Sequence, residues 1–319
     1  MNKPCEGVTN LNIQDLNITI VGLGLIGGSF ATALGKLNPK SLWAVEVDQD
    51  IINTAVDRGI IDEGYIKPEK PLKKSDLVIM CIYPAQTADF IEENMEHFKP
   101  GAVITDTAGI KVKPVKRINS VLRRDLDFIA GHPLAGREYK GFGLSSGSAF
   151  DGASYIITPT ARNSEENIQA VERLVFALGV KNIIRVTPAR HDEMIALTSQ
   201  LPHVIAAALI GCSDRRDMFI SAAGSFMDAT RVARINSRLW TELLLENSEN
   251  IIERIEDFEH SLAEIKRAIN KNEPDTLGSI LNRVRIKREG IMDILEKENS
   301  RERSCKYGHI NDIPGKTNR

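Results

Sequence analysis

Residues Gly22-Leu23-Gly24-Leu25-Ile26-Gly27 follow directly on an apolar run, Ile18 to Val21, and open a segment with helical spacing. A strand that turns at once into a helix across three glycines leaves few folds open. The first glycine permits the tight turn, the second lets a phosphate approach the backbone, and the third lets helix and strand pack closely. The unpaired N–H groups and dipole at the start of that helix favour negative charge. Gly22, Leu23, Gly24, Leu25, Ile26 and Gly27 are therefore read as a dinucleotide-binding turn.

Glu46 ends the second predicted strand, about 20 residues beyond the glycines, where an acid bonds the adenosine ribose hydroxyls. Asp48 is the alternative for that role. A carboxylate there repels a 2'-phosphate, so NAD is expected rather than NADP. Tyr83, just past the predicted strand Leu77 to Ile82, is grouped with the cofactor-binding residues.

From Ile18 to about Val186, short apolar runs alternate with amphipathic segments, the pattern of a parallel sheet with crossover helices. Strands are predicted at 18–21, 42–46, 77–82, 102–105, 128–131, 154–158 and 182–186. This predicts an α/β fold, a Rossmann-type doubly wound parallel sheet over residues 17–186, behind an N-terminal extension, 1–16. Beyond Thr187-Pro188, a suitable N-cap and first helical residue, helical spacing continues to about Glu298. An all-helical second domain, 187–298, is expected, then a polar tail, 299–319, with no long regulatory domain.

Among 319 residues, 41 Lys plus Arg stand against 43 Asp plus Glu, a formal net charge of -2. No global basic field points to nucleic acid or an anionic membrane, so a small-molecule substrate is the expected partner. The four cysteines show no C-x-x-C pair, as in a reduced cytoplasmic protein. No apolar run is read as approaching the roughly 20 residues that span a bilayer.

His132 stands in Gly131-His132-Pro133-Leu134-Ala135-Gly136, where the strand around Phe128 to Ala130 runs out, and is expected to project from the sheet end towards the cofactor. A neutral imidazole there suits acceptance of a hydroxyl proton during hydride abstraction. His203 follows Pro202, which removes a backbone donor and kinks the helix. Arg231, in a polar patch between helical segments, has a guanidinium suited to a carboxylate. His97, His260 and His309 read as solvated, and His191, beside Asp192 and Glu193, as mostly structural.

Five motifs occur in order: G-L-G-L-I-G-G from Gly22, T-D-T-A-G-I-K from Thr105, G-H-P-L-A-G-R-E from Gly131, H-D-E-M-I-A-L-T-S-Q-L-P-H from His191, and D-A-T-R-V-A from Asp228. In this order the chain resembles the prephenate dehydrogenase family, which includes arogenate dehydrogenases, over roughly residues 17–297. The resemblance implies oxidative decarboxylation of prephenate to 4-hydroxyphenylpyruvate with NAD, in tyrosine biosynthesis, by a homodimer joined through its helical domain. It also implies that His132 assists hydride transfer, Arg231 binds a substrate carboxylate and His203 positions substrate. Glu138 matches an acid at the mouth of the site, and Trp240 a site-lining aromatic. Family members commonly carry serine where this chain has Gly109, and that hydroxyl orients the histidine; Thr107 is expected to take over the role. Arogenate dehydrogenase, another NAD-dependent hydroxy-acid dehydrogenase and a nucleotide sensor without catalysis are the competing readings.

Overall fold

Strand β1 (Asn17–Val21) is buried from Ile18 onwards, as a strand covered by helices on both faces must be. The computed structural model describes residues 12–135 and 142–307. Helix α1 (Leu25–Gly35), strand β2 (Ser41–Val45), helix α2 (Gln49–Asp57) and strand β3 (Glu63–Tyr65) follow. The short helix α3 (Glu69–Leu72) leads into β4 (Leu77–Met80), α4 (Pro84–Glu93), β5 (Val103–Asp106), α5 (Val112–Val121) and β6 (Asp127–Ile129). These strands pair in the order β3-β2-β1-β4-β5-β6, and every pairing is parallel. The order reverses beside β1, and that switch point puts the ligand cleft at the carboxyl ends of β1 and β4.

Alternation along β4 sends Leu77 and Ile79 into one hydrophobic layer, with Phe30 and Leu34 of α1. Val78 and Met80 enter the opposite layer, with Ile91, Val115 and Ile118. Each such side chain contributes roughly 1.5–3 kcal/mol when fully buried.

The single parallel sheet expected through Val186 is instead two sheets. Strands β7 (Gly131–Leu134), β8 (Ser154–Ile157) and β9 (Asn182–Arg185), with α6 (Glu165–Ala177) between the last two, form a separate three-stranded sheet. In it β7 runs antiparallel to β8, and β8 runs parallel to β9. The strand expected over 128–131 breaks at Ala130, because the Gly131 N–H donates to the Asp106 side chain at 2.9 Å rather than to a neighbouring strand. His132 therefore lies within a strand, opposite Ile156, rather than at a free strand end.

Thr187 caps α7 (Pro188–Ile195), its hydroxyl accepting from the Arg190 N–H. One π-helical turn, Ala196–Gln200, then joins α7 to α8 (Leu201–Gly211), whose first turn holds Pro202. Together Pro188–Gly211 make a 24-residue helical run, long and apolar enough to cross a membrane by length and composition. That corrects the sequence expectation of no such run, and 28% of its most apolar window is buried in the fold. Helices α9 (Gly224–Thr230), α10 (Ser237–Glu246), α11 (Ser248–Asn270) and α12 (Pro274–Tyr307) complete the chain.

The molecule divides into two compact units, Met1–Arg254 and Ile255–Arg319. The change of composition at 186/187 does not coincide with that division. Within the first unit Asp192 accepts from the Lys111 and Val112 N–H groups, each at 2.8 Å, and ties α7 to the start of α5. The second unit holds the rest of α11 and α12, which continues to Tyr307, past the limit expected at 298.

Candidate functional site

Each motif glycine of the β1–α1 turn meets a different constraint. Gly22 has φ +91°, and a β-carbon there would stand 2.6 Å from Ile82 Cγ2 and 2.9 Å from the Cys81 carbonyl oxygen. A β-carbon on Gly27 would lie 1.8 Å from the Gly22 carbonyl oxygen. Around Gly24 nothing stands within 4 Å of that position, so the backbone is open to a phosphate group. Leu25 and Ile26 form the first helical residues behind it.

Glu46 reaches this turn directly. Its Oε2 accepts the Leu23 N–H at 2.7 Å, while Oε1 accepts from Val47 at 2.7 Å and Asp48 at 3.2 Å. Two carboxylate oxygens offer about four acceptor positions, which leaves capacity for a ribose hydroxyl. Asp48 does something else: its Oδ1 accepts from the Asp50 and Ile51 N–H groups and caps α2. Tyr83 precedes α4, beside the Cys81-Ile82 segment that Gly22 touches. Its hydroxyl accepts from Asn236 Nδ2 at 3.1 Å, and Arg238 lies over its ring at 5.1 Å.

A buried network sets the position of His132. Asp106, at the end of β5, accepts the Ala108 and Gly131 N–H groups and the Lys111 ammonium, the last at 2.7 Å. Lys111 is fully buried and also donates to the Ala108 carbonyl at 2.8 Å. Removing either partner of such a pair leaves an uncompensated charge, at a cost of about 3–5 kcal/mol. The acid and the lysine of the T-D-T-A-G-I-K motif thus hold the start of β7 against the end of β5. Gly131 is required there because a β-carbon would stand 2.4 Å from the Tyr155 hydroxyl.

His132 Nδ1 lies 2.9 Å from His191 Nε2, and His191 Nδ1 lies 2.6 Å from Asp192 Oδ1. The expectation for Thr107 is corrected: its hydroxyl donates to the Met80 carbonyl at 3.3 Å, back towards β4. Gly109, not Thr107, faces the histidine, since a β-carbon on it would stand 3.8 Å from His132 Nε2. Burial pushes the His132 pKa well below the ordinary imidazole value, and the positive charge of Lys111 acts in the same direction. The ring is accordingly neutral near pH 7, the state in which it accepts a proton.

His191 was read from sequence as mostly structural, and the structure places it on the catalytic candidate. Its acidic neighbours look like any helix opening, and its partner lies 59 residues away. The usable signal was its place at the head of the motif that ends in His203.

Helix α10 touches both Gly109 and His203, which α8 carries. Leu243 comes within 3.4 Å of the β-carbon position at Gly109. Trp240, three residues earlier and so on the same helical face, stacks on His203 with centroids 3.7 Å apart and planes at 26°. His203 Nδ1 donates to the Ser199 carbonyl at 2.8 Å, and burial lowers its pKa against the opposing pull of that carbonyl. Arg231 opens the short 3-10 turn after α9, which packs on α8. Two bonds hold α10 across the sheet end: Glu242 Oε1 accepts from the Ala85 N–H at 2.6 Å, and Asn236 bonds Tyr83. Glu138 lies outside the described residues.

Two family models match the chain. Residues 30–184 match "Prephenate dehydrogenase, nucleotide-binding domain" and residues 187–283 match "Prephenate dehydrogenase, dimerization domain". The chain is 32% identical to a prephenate dehydrogenase of Lactococcus lactis, over 82% of this chain and 73% of that protein. It is 27% identical to that of Bacillus subtilis, over 88% of this chain and 77% of that protein. Among solved structures, prephenate dehydrogenase from Aquifex aeolicus in complex with hydroxyphenyl propionate and NAD+ superposes with a TM-score of 0.80 at 30% identity. That match covers 88% of this chain and 99% of the other.

Proposed function

The chain belongs to the prephenate dehydrogenase family, and on that premise we propose that it converts prephenate to 4-hydroxyphenylpyruvate with NAD by oxidative decarboxylation. The observation that carries the reading is His132, neutral and with Nε2 turned to the Gly109 side at the carboxyl end of the sheet. NAD, when bound along the glycine turn and Glu46, supplies the hydride acceptor. His132 Nε2 takes the proton of the ring hydroxyl as the carbonyl develops on that carbon. Loss of carbon dioxide then makes the ring aromatic, which draws the step downhill. Arg231 grips a substrate carboxylate, and His203, held flat by Trp240, positions the ring. Glu138 is proposed for the mouth of the site. NADH absorbance on adding prephenate to protein and NAD tests the assignment, and a protein that binds NAD yet forms no NADH from prephenate would overturn it.

Arg231→Gln is expected to raise KM by about 10- to 100-fold with kcat little changed. Losing a hydrogen-bonded charge partner is worth roughly 1.5–3 kcal/mol, and the loss falls equally on ground and transition states. Steady-state kinetics with varied prephenate checks it; an unchanged KM removes Arg231 as the anchor.

A homodimer joined through the helical region belongs to the same proposal. Ile220, Met227 and Leu245 stand 87%, 59% and 65% exposed on the helical part of the first unit, and in the second unit Leu281, Val284 and Ile286 are exposed as well. Apolar surface of this kind marks interaction sites. A cytoplasmic location completes the reading, supported by the free thiols of Cys81 and Cys212.

A further inference from the structure

We propose that His191 and Asp192 are positioning residues that fix the tautomer of His132 and so decide which of its nitrogens takes the substrate proton. The inference rests on His132 being the proton acceptor and adds how it is made ready.

The argument runs inwards from Asp192. Its Oδ1 accepts the Lys111 N–H and its Oδ2 the Val112 N–H, each at 2.8 Å, so both oxygens act as acceptors. His191 Nδ1, 2.6 Å from Oδ1, is then the donor and carries the hydrogen. Burial lowers the His191 pKa, and a neutral ring with hydrogen on Nδ1 has a lone pair on Nε2. That lone pair faces His132 Nδ1 at 2.9 Å, so Nδ1 of His132 must be the donor. In the neutral ring this leaves the lone pair of His132 on Nε2. Among the described residues Nε2 makes no hydrogen bond, and it lies 3.8 Å from the β-carbon position of Gly109.

The opposite tautomer would set lone pairs against each other at one of the two contacts. Lys111 does not compete for His191, because its ammonium donates to Asp106 and Ala108. When the substrate hydroxyl gives its proton to Nε2, the Nδ1–H of His132 stays on His191 and the Nδ1–H of His191 stays on Asp192. No proton passes along the chain. The family serine would approach His132 from the Nε2 side, whereas this support comes from Nδ1, which is why Gly109 is tolerated.

The test uses full-length protein labelled with 15N-histidine, in which two-bond 1H–15N correlations report which ring nitrogen carries hydrogen. His132 is assigned by the signal missing from His132→Asn. The expected spectrum shows His132 protonated at Nδ1 and bare at Nε2. His191→Leu should populate both tautomers and leave the ring and its developing positive charge without their partner, lowering kcat by about 10²- to 10⁴-fold, the range of acid–base catalysis, with KM within about threefold. In His191→Gln the amide oxygen can accept from Nδ1, and at least about tenfold of the loss should return. Hydrogen on Nε2 in the native protein, or full kcat in His191→Leu, overturns the proposal. Should His191→Leu not fold, the native spectrum decides alone. The spectrum needs no substrate: the expected tautomer without prephenate turnover sinks only the functional reading, while turnover with hydrogen on Nε2 sinks only the positioning role.

Discussion

Replacing His132 with asparagine is expected to lower kcat by about 10²- to 10⁴-fold while KM for prephenate moves little, the signature of an interaction made only in the transition state. Asparagine keeps a polar group of similar reach but has no basic nitrogen. The pH dependence follows from the same environment. Burial disfavours the imidazolium, so the competent neutral ring persists as pH falls through 6.5, and the acid limb of kcat/KM should lie below that value. An acid limb above 6.5, or a variant with native kcat, would remove His132 from the proton transfer.

Gly27→Ala is expected to weaken NAD binding at least about 30-fold, roughly 2 kcal/mol, the scale of forcing an extra carbon into a packed site. The added carbon would stand 1.8 Å from the Gly22 carbonyl oxygen, and a backbone atom cannot rotate aside as a side chain would. Either α1 lifts or the turn opens, and both disturb the N–H groups that meet the phosphates. The melting temperature should fall with the affinity. Gly24→Ala is the instructive contrast: nothing lies within 4 Å of its β-carbon position, so Tm should hold while NAD binding alone weakens. Calorimetric titration with NAD beside thermal unfolding separates the two, and native affinity in Gly27→Ala would refute the assignment of the turn.

Legibility in the sequence tracked the distance over which each feature is encoded. The glycine turn and the Thr187 cap each lie within a few residues, so spacing alone revealed them. Strand β3 was missed because Glu63-Gly64-Tyr65 carries no apolar run. Gly64 sits there to clear Ile52, which would lie 2.3 Å from its β-carbon. Alternation marked 154–158 and 182–186 as strands, yet no local pattern states which sheet a strand joins. The two sheets part at Ala130 because Asp106, 25 residues earlier, takes the Gly131 N–H. Asp48 is only the fallback to Glu46 in the sequence, and the cap on α2 and the bond to Leu23 separate the two.

By itself the sequence determined the nucleotide-binding turn, the alternation of strand and helix, and the candidacy of His132, His203 and Arg231, because residue type and near spacing express those directly. Tertiary structure alone decided what holds His132. His191 meets it from 59 residues away, Gly109 rather than Thr107 turns to its Nε2, and α10 sets Leu243 against Gly109 and stacks Trp240 on His203. Such contacts depend on how distant elements pack, and helical or strand periodicity describes each element only against its own axis.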